Sequence, residues 1–213
     1  MRTRGASIRD VEAKLGIPRS TLSGWFKHLK LSEYHQKVLR KKAARAIIRA
    51  RVEAVKWHNL QKTLRMKLAA EDAARTLNNI DFTNSAIVEL ALAILYLGEG
   101  TKKTAQTAMG NSDPLILRFF VRTIQKLYSL TPTDFKCHLH LRADQDPEKM
   151  ARYLSRELGI PRRNFLKPLI DQRTFGSPTY PHYKGVCAIT CQRVAIQRKL
   201  MYIAIEFCKK IVD

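Results

Sequence analysis

Between residues 32 and 78 the chain contains neither proline nor glycine and is rich in Ala, Lys, Arg and Leu. Nothing in that stretch breaks a helix and most of it favours one, which predicts one long helix or two. From Lys37 to Lys67 it carries 11 basic residues against a single acid, Glu53. The charged side is a solvated face, able to lie along a phosphate backbone. A second pattern overlays the first. Ala43, Ile47, Ala50, Ala54, Trp57, Gln61, Leu64 and Leu68 recur at alternating four- and three-residue steps, a seam of about three heptads. Two uses of that seam stay open: pairing with a copy of itself, or packing on the carboxy-terminal part of the chain.

The charge carries the argument from fold to partner. The 213 residues include 39 Lys+Arg against 18 Asp+Glu, a net charge of +21. That excludes an ordinary acidic metabolic enzyme as the default and points to nucleic acid, where neutralised phosphates release counterions. The excess is uneven: residues 1–80 hold 19 basic and 6 acidic residues (+13), and residues 81–213 hold 20 and 12 (+8). With 45% hydrophobic residues the chain can bury a real core. No apolar run reaches the ~20 residues of a membrane span. The opening MRTRGASIRDVE turns polar at once, unlike a secretory signal. Four cysteines, Cys137, Cys187, Cys191 and Cys208, are too few for a disulfide scaffold. The expectation is a cytoplasmic, nucleoid-associated protein with no membrane contact. Three regions are predicted: 1–31, a basic helical connector over 32–80, and a mixed region over 81–213.

In the first region, Ile8, Val11 and Leu15 form one helical stripe, Gly16 stops that helix, and Ile17 and Pro18 make the turn. Leu22, Trp25 and Phe26 then give the buried face of a second helix. Two short helices with a glycine turn and this spacing resemble a helix-turn-helix DNA-binding motif, over about 22 residues; Glu12 departs from it, standing where that family has a small residue. The resemblance implies that the second helix enters the major groove with Arg19, Ser20, Thr21, Ser23 and Lys27 near the DNA. Arg19 is suited to fork onto a guanine edge, and Ser20, Thr21 and Lys27 to hold phosphates. A helical hairpin for protein contact is the competing reading.

Beyond residue 81 the pattern changes. Thr83–Gly100 (TNSAIVELALAILYLGEG) predicts an apolar helix; a short strand and turn follow, then an amphipathic helix from Pro114 to Leu130. Phe135 to Arg142 alternates, with Phe135, Cys137, Leu139 and Leu141 pointing one way and Lys136, His138, His140 and Arg142 the other. Pro147–Gly159 predicts a helix. Asn164–Ile170 and Lys184–Gln192 predict strands joined in a hairpin by the loop DQRTFGSPTYPHY, and a final helix runs from about Arg193 to Lys210. The class is α+β. That loop, with Arg173, Tyr180, His182 and Tyr183, is as well suited to touching DNA as to lying in water. Cys187 with Cys191, and His138 with His140, would make a zinc site only if their two strand faces converged; small buried cysteines are the stronger account. No Gly-rich phosphate loop or HExxH sequence occurs, and no aromatic RNA-binding signature.

Leu92–Gly100, LAILYLGEG, resembles the motif of the LAGLIDADG homing endonucleases. Ala93 and Gly98 keep the small positions, whereas Ile94 replaces a glycine and Leu97 the earlier acid. The resemblance implies a LAGLIDADG-like α/β domain of roughly 115 residues, with an antiparallel, saddle-shaped sheet laid on the major groove. It also implies a motif helix packed on its twin in a homodimer, and Glu99 as the acid that holds a divalent metal at the scissile phosphate. Lys136, His138, His140, Arg142 and Lys184 then join the DNA-binding set. Two carboxylates with phosphate oxygens suffice for Mg2+; Lys103, Lys167 or Lys184 would steady the developing charge. Some members of this superfamily bind DNA and regulate without cutting. The sequence thus reads as a sequence-specific double-stranded DNA-binding regulator, with a Mg2+-dependent homodimeric endonuclease acting through Glu99 as the alternative.

Overall fold

The computed structural model describes all residues from Met1 to Asp213 and divides them into two compact units, Met1–Asn79 and Ile80–Asp213. In the first, α1 (Ile8–Leu15) begins at a Ser7 capping box, with the Ser7 hydroxyl accepting from Asp10 N and the Asp10 carboxylate accepting from Ser7 N. α2 (Arg19–Trp25) follows the Gly16–Pro18 turn. The contact between these helices buries only Val11 and Leu22. Leu15 and Trp25, expected inside, are exposed, Trp25 by 65%. Helices of eight and seven residues have length for one buried side chain each, so the rest of both stripes stays in water. Asp10 also receives Lys42 of α3 (Glu33–Leu77) at 2.8 Å. The Lys42 hydrogen bond, then those from Ser7, lower the Asp10 carboxyl to about 2.

α3 is a single helix of 45 residues, about 67 Å long at 1.5 Å per residue, opened by the Ser32 hydroxyl. None of its residues is buried. The seam side chains Ala43, Ile47, Ala50, Ala54, Trp57, Leu64 and Leu68 are all exposed. Helix propensity, not packing, makes this element.

The second unit is α+β. α4 (Ser85–Glu99) leads to β1 (Thr107–Asn111), α5 (Pro114–Tyr128), β2 (Lys136–Arg142), α6 (Pro147–Leu158), β3 (Leu169–Asp171), β4 (Val186–Cys191) and α7 (Val194–Val212). The sheet order is β1-β4-β2-β3. β4 lies antiparallel to both β1 and β2, whereas β3 runs parallel to β2. The sheet is therefore mixed rather than antiparallel, and the expected β3–β4 hairpin does not form. α6 carries the chain back before β3 starts, which makes the β2–β3 pair parallel. β3 is also shorter than expected. Arg162–Asn164 takes a 3-10 turn, the Asn164 side chain turns inward to donate to the Thr133 and Phe135 carbonyls, and Pro168 brings no N–H to a ladder.

The helices bury one face of the sheet. Leu92, Tyr96, Leu117, Phe120, Ile124, Leu154, Leu158 and Leu200 pack against Met109, Cys137, Leu139, Leu141, Cys187 and Ile189. Around this core α4, α5 and α7 are tied by one carboxylate: Glu89 accepts from Tyr128 Oη and from Lys199 Nζ, each at 2.6 Å. Burial pushes the Glu89 carboxyl up, but the hydrogen bonds of Lys199 and Tyr128 and the Lys199 charge prevail and leave it below its ordinary 4.5. A lowered folded pKa stabilises the fold above the unfolded value and loses that contribution as pH falls through the folded one. Glu89→Gln should therefore lower the melting temperature at about pH 7, and the gap from wild type should narrow as pH falls below about 4.5, followed by circular dichroism.

Candidate nucleic-acid interface

Strand register fixes what the uncovered face of the sheet presents. Lys136 pairs with Thr190, His138 with Ala188, and His140 with Val186 on β4 and Leu169 on β3, while Ala108 and Gly110 of β1 lie beside Thr190 and Ala188. Side chains of directly paired residues share a face. That face is therefore a low floor of Ala, Gly, Val and Thr, from which Lys136, His138 and His140 rise along one strand. The two imidazoles stand 5.0 Å apart, edge to face. β1, β2 and β4 contain no acid.

Arg142, assigned with them, has a different use. Its Nε donates to Thr179 Oγ1 and its Nη2 to the Ser177 carbonyl, both at 2.9 Å. These bonds fasten residues 172–185, the segment between β3 and β4, across the end of β2. Ala143 N donates to Thr174 Oγ1, Thr179 N to the Asp144 carboxylate at 2.7 Å, and Gln145 Nε2 to the Tyr183 carbonyl. The Thr179 bonds hold the Asp144 carboxyl below its usual range. Gly185, at φ +80°, closes the strap; a Cβ there would collide with Leu141 Cδ2 and lie 2.9 Å from the His140 carbonyl oxygen. Lys184 stands over the Tyr153 ring of α6 at 5.9 Å.

Glu99 is exposed at the carboxy-terminal end of α4, where Asn111 Nδ2 donates to it at 3.4 Å. Asn111 Oδ1 in turn accepts from Asp113 N, and Asp113 caps α5. Glu99 is placed by Tyr96, which is fully buried: its hydroxyl donates to the Thr101 carbonyl at 3.0 Å and accepts from Ala108 N at 3.2 Å. Gly100 lies against that ring so closely that a Cβ would meet it at 2.6 Å. One chain offers a metal little. No group of three or more His, Cys, Asp or Glu side chains gathers anywhere in it, and Glu99 has an amide rather than a second carboxylate beside it. Lys103, Lys167 and Lys184 sit on three separate segments.

The zinc alternative fails on geometry. Cys137, Cys187 and Cys191 point into the core, and His138 and His140 point away from it. The same thiols make poor nucleophiles: the hydrogen bond with Cys187 and burial raise Cys137, and burial pushes Cys191 up to about 11.

In the first unit Arg19, Ser20, Thr21 and Ser23 are exposed on α2, and Lys27 lies just beyond its end. Glu12 forms an exposed ion pair with Arg19, 2.9 Å from its Nε, so the residue that departs from the helix-turn-helix pattern is a partner of the arginine. Asn111 carries no signal in the sequence beyond its place at a turn, and Glu12 stands out there only as a departure from the motif, whereas the loop that forms the strap is already a candidate for DNA contact by its Arg173, Tyr180, His182 and Tyr183. The chain matches no family model, no curated protein and no solved structure.

The ring-against-glycine contact yields a test. Gly100→Ala should destabilise the second unit by ~1–3 kcal/mol through overpacking, read as a lower urea midpoint at unchanged slope.

Proposed function

We propose that this protein binds double-stranded DNA sequence-specifically, through an amino-terminal helix-turn-helix reader and the uncovered sheet face of the second unit, and that it acts as a regulator. The observation that carries the reading is that sheet face: a flat floor of small residues with Lys136, His138 and His140 above it and no acid on β1, β2 or β4, in a chain of net charge +21. Small residues let a duplex approach, and cations with neutral donors meet phosphates and base edges. Arg142 supports the surface by fastening the strap. Ser20, Thr21, Ser23 and Lys27 are exposed donors suited to phosphate.

Arg19 is the base reader in this scheme. Glu12 is ion-paired on the Nε side, which leaves the two terminal nitrogens as the fork that a guanine edge accepts. Glu12 thereby orients the reader at the expense of some general attraction to DNA. Arg19→Ala should relax preference at one base pair by ~1–3 kcal/mol. Glu12→Gln should weaken the same discrimination while leaving overall affinity equal or higher, both measured by competition across a site library.

A second reading, cleavage, is favoured by two observations. Glu99 is an exposed acid with an amide but no cation beside it, at a helix carboxy terminus where an anion is disfavoured without a use. Ile87, Ala91, Ile94 and Gly98 also form an exposed stripe of small and apolar side chains along α4, Ile94 by 40%, suited to a twin helix. Pairing α4 with its copy would bring two Glu99 carboxylates together, the minimum hard-oxygen set for Mg2+ at a phosphate. Nicking of supercoiled DNA from the protein's own locus, with and without Mg2+ and beside Glu99→Gln, separates the two readings. The regulator reading expects DNA binding and no cutting by either protein; metal-dependent cutting lost in Glu99→Gln would replace it with the endonuclease. Both expect a dimer on sedimentation.

A further inference from the structure

Where the strap crosses the end of β2 it roofs a groove of about 730 Å3 bounded by His140, Leu169, Asp171, Arg173, Tyr180 and Tyr183. The groove opens on the same sheet face as Lys136 and His138, so it adjoins the surface assigned above to the duplex. Its chemistry differs from that surface. The cations near it are already engaged: Arg142 by Thr179 and Ser177, and Arg173 by Asp171 through two bonds of 2.9 and 3.0 Å. What remains is largely aromatic and apolar, with Tyr180, Tyr183, Leu169 and Val186 beside the polar His140 and Gln172 and a carboxylate–guanidinium pair at the rim.

Tyr180 is the informative residue. It is 83% exposed, so it contributes almost nothing to the core. Yet it is not on a slack loop. Thr174, Ser177, Thr179 and Tyr183 each bond to residues 142–145, and Gly185 is pressed against β2, so the backbone on both sides of Tyr180 is pinned. A large aromatic ring held out to water by so many hydrogen bonds is placed for contact with something flat. A near-neutral aromatic groove beside a basic surface sorts a nucleic acid into its two parts, the heterocycle inside and the phosphates outside. Asp171 and Arg173 supply an acceptor and donors for the edge of that heterocycle.

We infer that this groove takes a single unpaired nucleobase of a DNA strand whose duplex portion lies on the sheet, with Tyr180 as the stacking platform. The inference rests on the DNA-binding reading and adds a substrate class to it: duplex with a base out of the stack, at a bulge, a mismatch or a strand end. Extruding a paired base costs stacking and pairing, a cost that is least when the base is already unpaired; the groove should accordingly discriminate between DNA structures.

The test uses the full chain and three probes: a fully paired duplex, the same duplex with one unpaired 5-iodouracil, and free deoxyuridine monophosphate. Wild type should bind the bulged duplex about tenfold more tightly than the paired one, as stacking of one base on an aromatic ring allows. Ultraviolet cross-linking should join the iodouracil to the peptide spanning residues 172–185. Tyr180→Ala should bring the two duplexes to within about twofold while leaving paired-duplex affinity unchanged. Because Tyr180 is exposed, that variant keeps its fold, checked by an unchanged melting temperature. Equal binding of both duplexes by wild type would overturn the inference and leave the DNA-binding reading standing. So would a bulge preference that survives in both Tyr180→Ala and Tyr183→Ala, or cross-links outside the strap. Free nucleotide that competes as well as the bulged duplex would reassign the groove to a mononucleotide. Failure to bind any of the DNA probes would remove both readings together.

Discussion

The second unit is organised around the Tyr96 hydroxyl. It is one of the few polar atoms in a core otherwise built from Leu, Ile, Phe and Cys, and it must have partners because burying it alone would cost on the order of 1–3 kcal/mol. The Thr101 carbonyl and the Ala108 amide provide them, so the end of α4 and the start of β1 are held to one ring. That ring stacks on Phe120 of α5 with 6.3 Å between centroids, and Gly100 lets the backbone pass beneath it. The turn out of α4 is thus fixed, and with it the position of Glu99 relative to Asn111. Gln197 completes the arrangement from α7 by donating to the Thr101 and Thr104 carbonyls. The resemblance of Leu92–Gly100 to a known motif concerns pairing and chemistry. In this chain the same segment also has a task inside its own fold.

How much of this was legible in the sequence follows from the range of each signal. The helices were legible because their signals are local: Asp113-Pro114, Asp146-Pro147 and Asn84 are caps, and each caps a helix in the structure. The alternation from Lys136 to Arg142 named the two faces of β2 correctly, since a strand's period is its own property. Pairing is not local. Nothing in Leu169–Asp171 says that it joins β2 in parallel rather than β4 in a hairpin; α6 decides that by where it delivers the chain. Arg142 misled for a related reason. Alternation gives the face a side chain leaves from, and the strap, thirty-odd residues away, decides what the guanidinium meets. Trp25 misled because an apolar stripe says nothing about how much partner surface exists to cover it.

α3 presents the opposite case, an element that sequence specifies almost alone. Alanine, leucine, lysine and arginine favour the helix, and a helix this long far exceeds the ~12–15 residues below which isolated helices are marginal in water. Its basic residues disfavour burial and its apolar residues are distributed around the circumference, so it needs no core to exist. Such a rod supplies charge and length. On the proposed reading, such a dense run of cations would raise the rate of encounter with DNA without sequence preference. On that reading discrimination comes from elsewhere, from three places of different chemistry: the Arg19–Glu12 pair, the floor between Lys136 and His140, and the strap groove.

Those three differ in what they can read. A guanidinium fork reads the edge of one base pair, a low floor with scattered cations reads the shape and backbone of a duplex, and a stacking ring reads whether a base is paired at all. Each is built so that its chemistry is kept separate from the others. Glu12 is ion-paired to Arg19, β1, β2 and β4 carry no acid, and the Asp171–Arg173 pair leaves the groove close to neutral. A protein that required only affinity would have no use for the two carboxylates, since each offsets a cation that could have met a phosphate. If the chain binds DNA as proposed, the two carboxylates, one beside Arg19 in the first unit and one at the groove rim in the second, favour selectivity over raw attraction at each place.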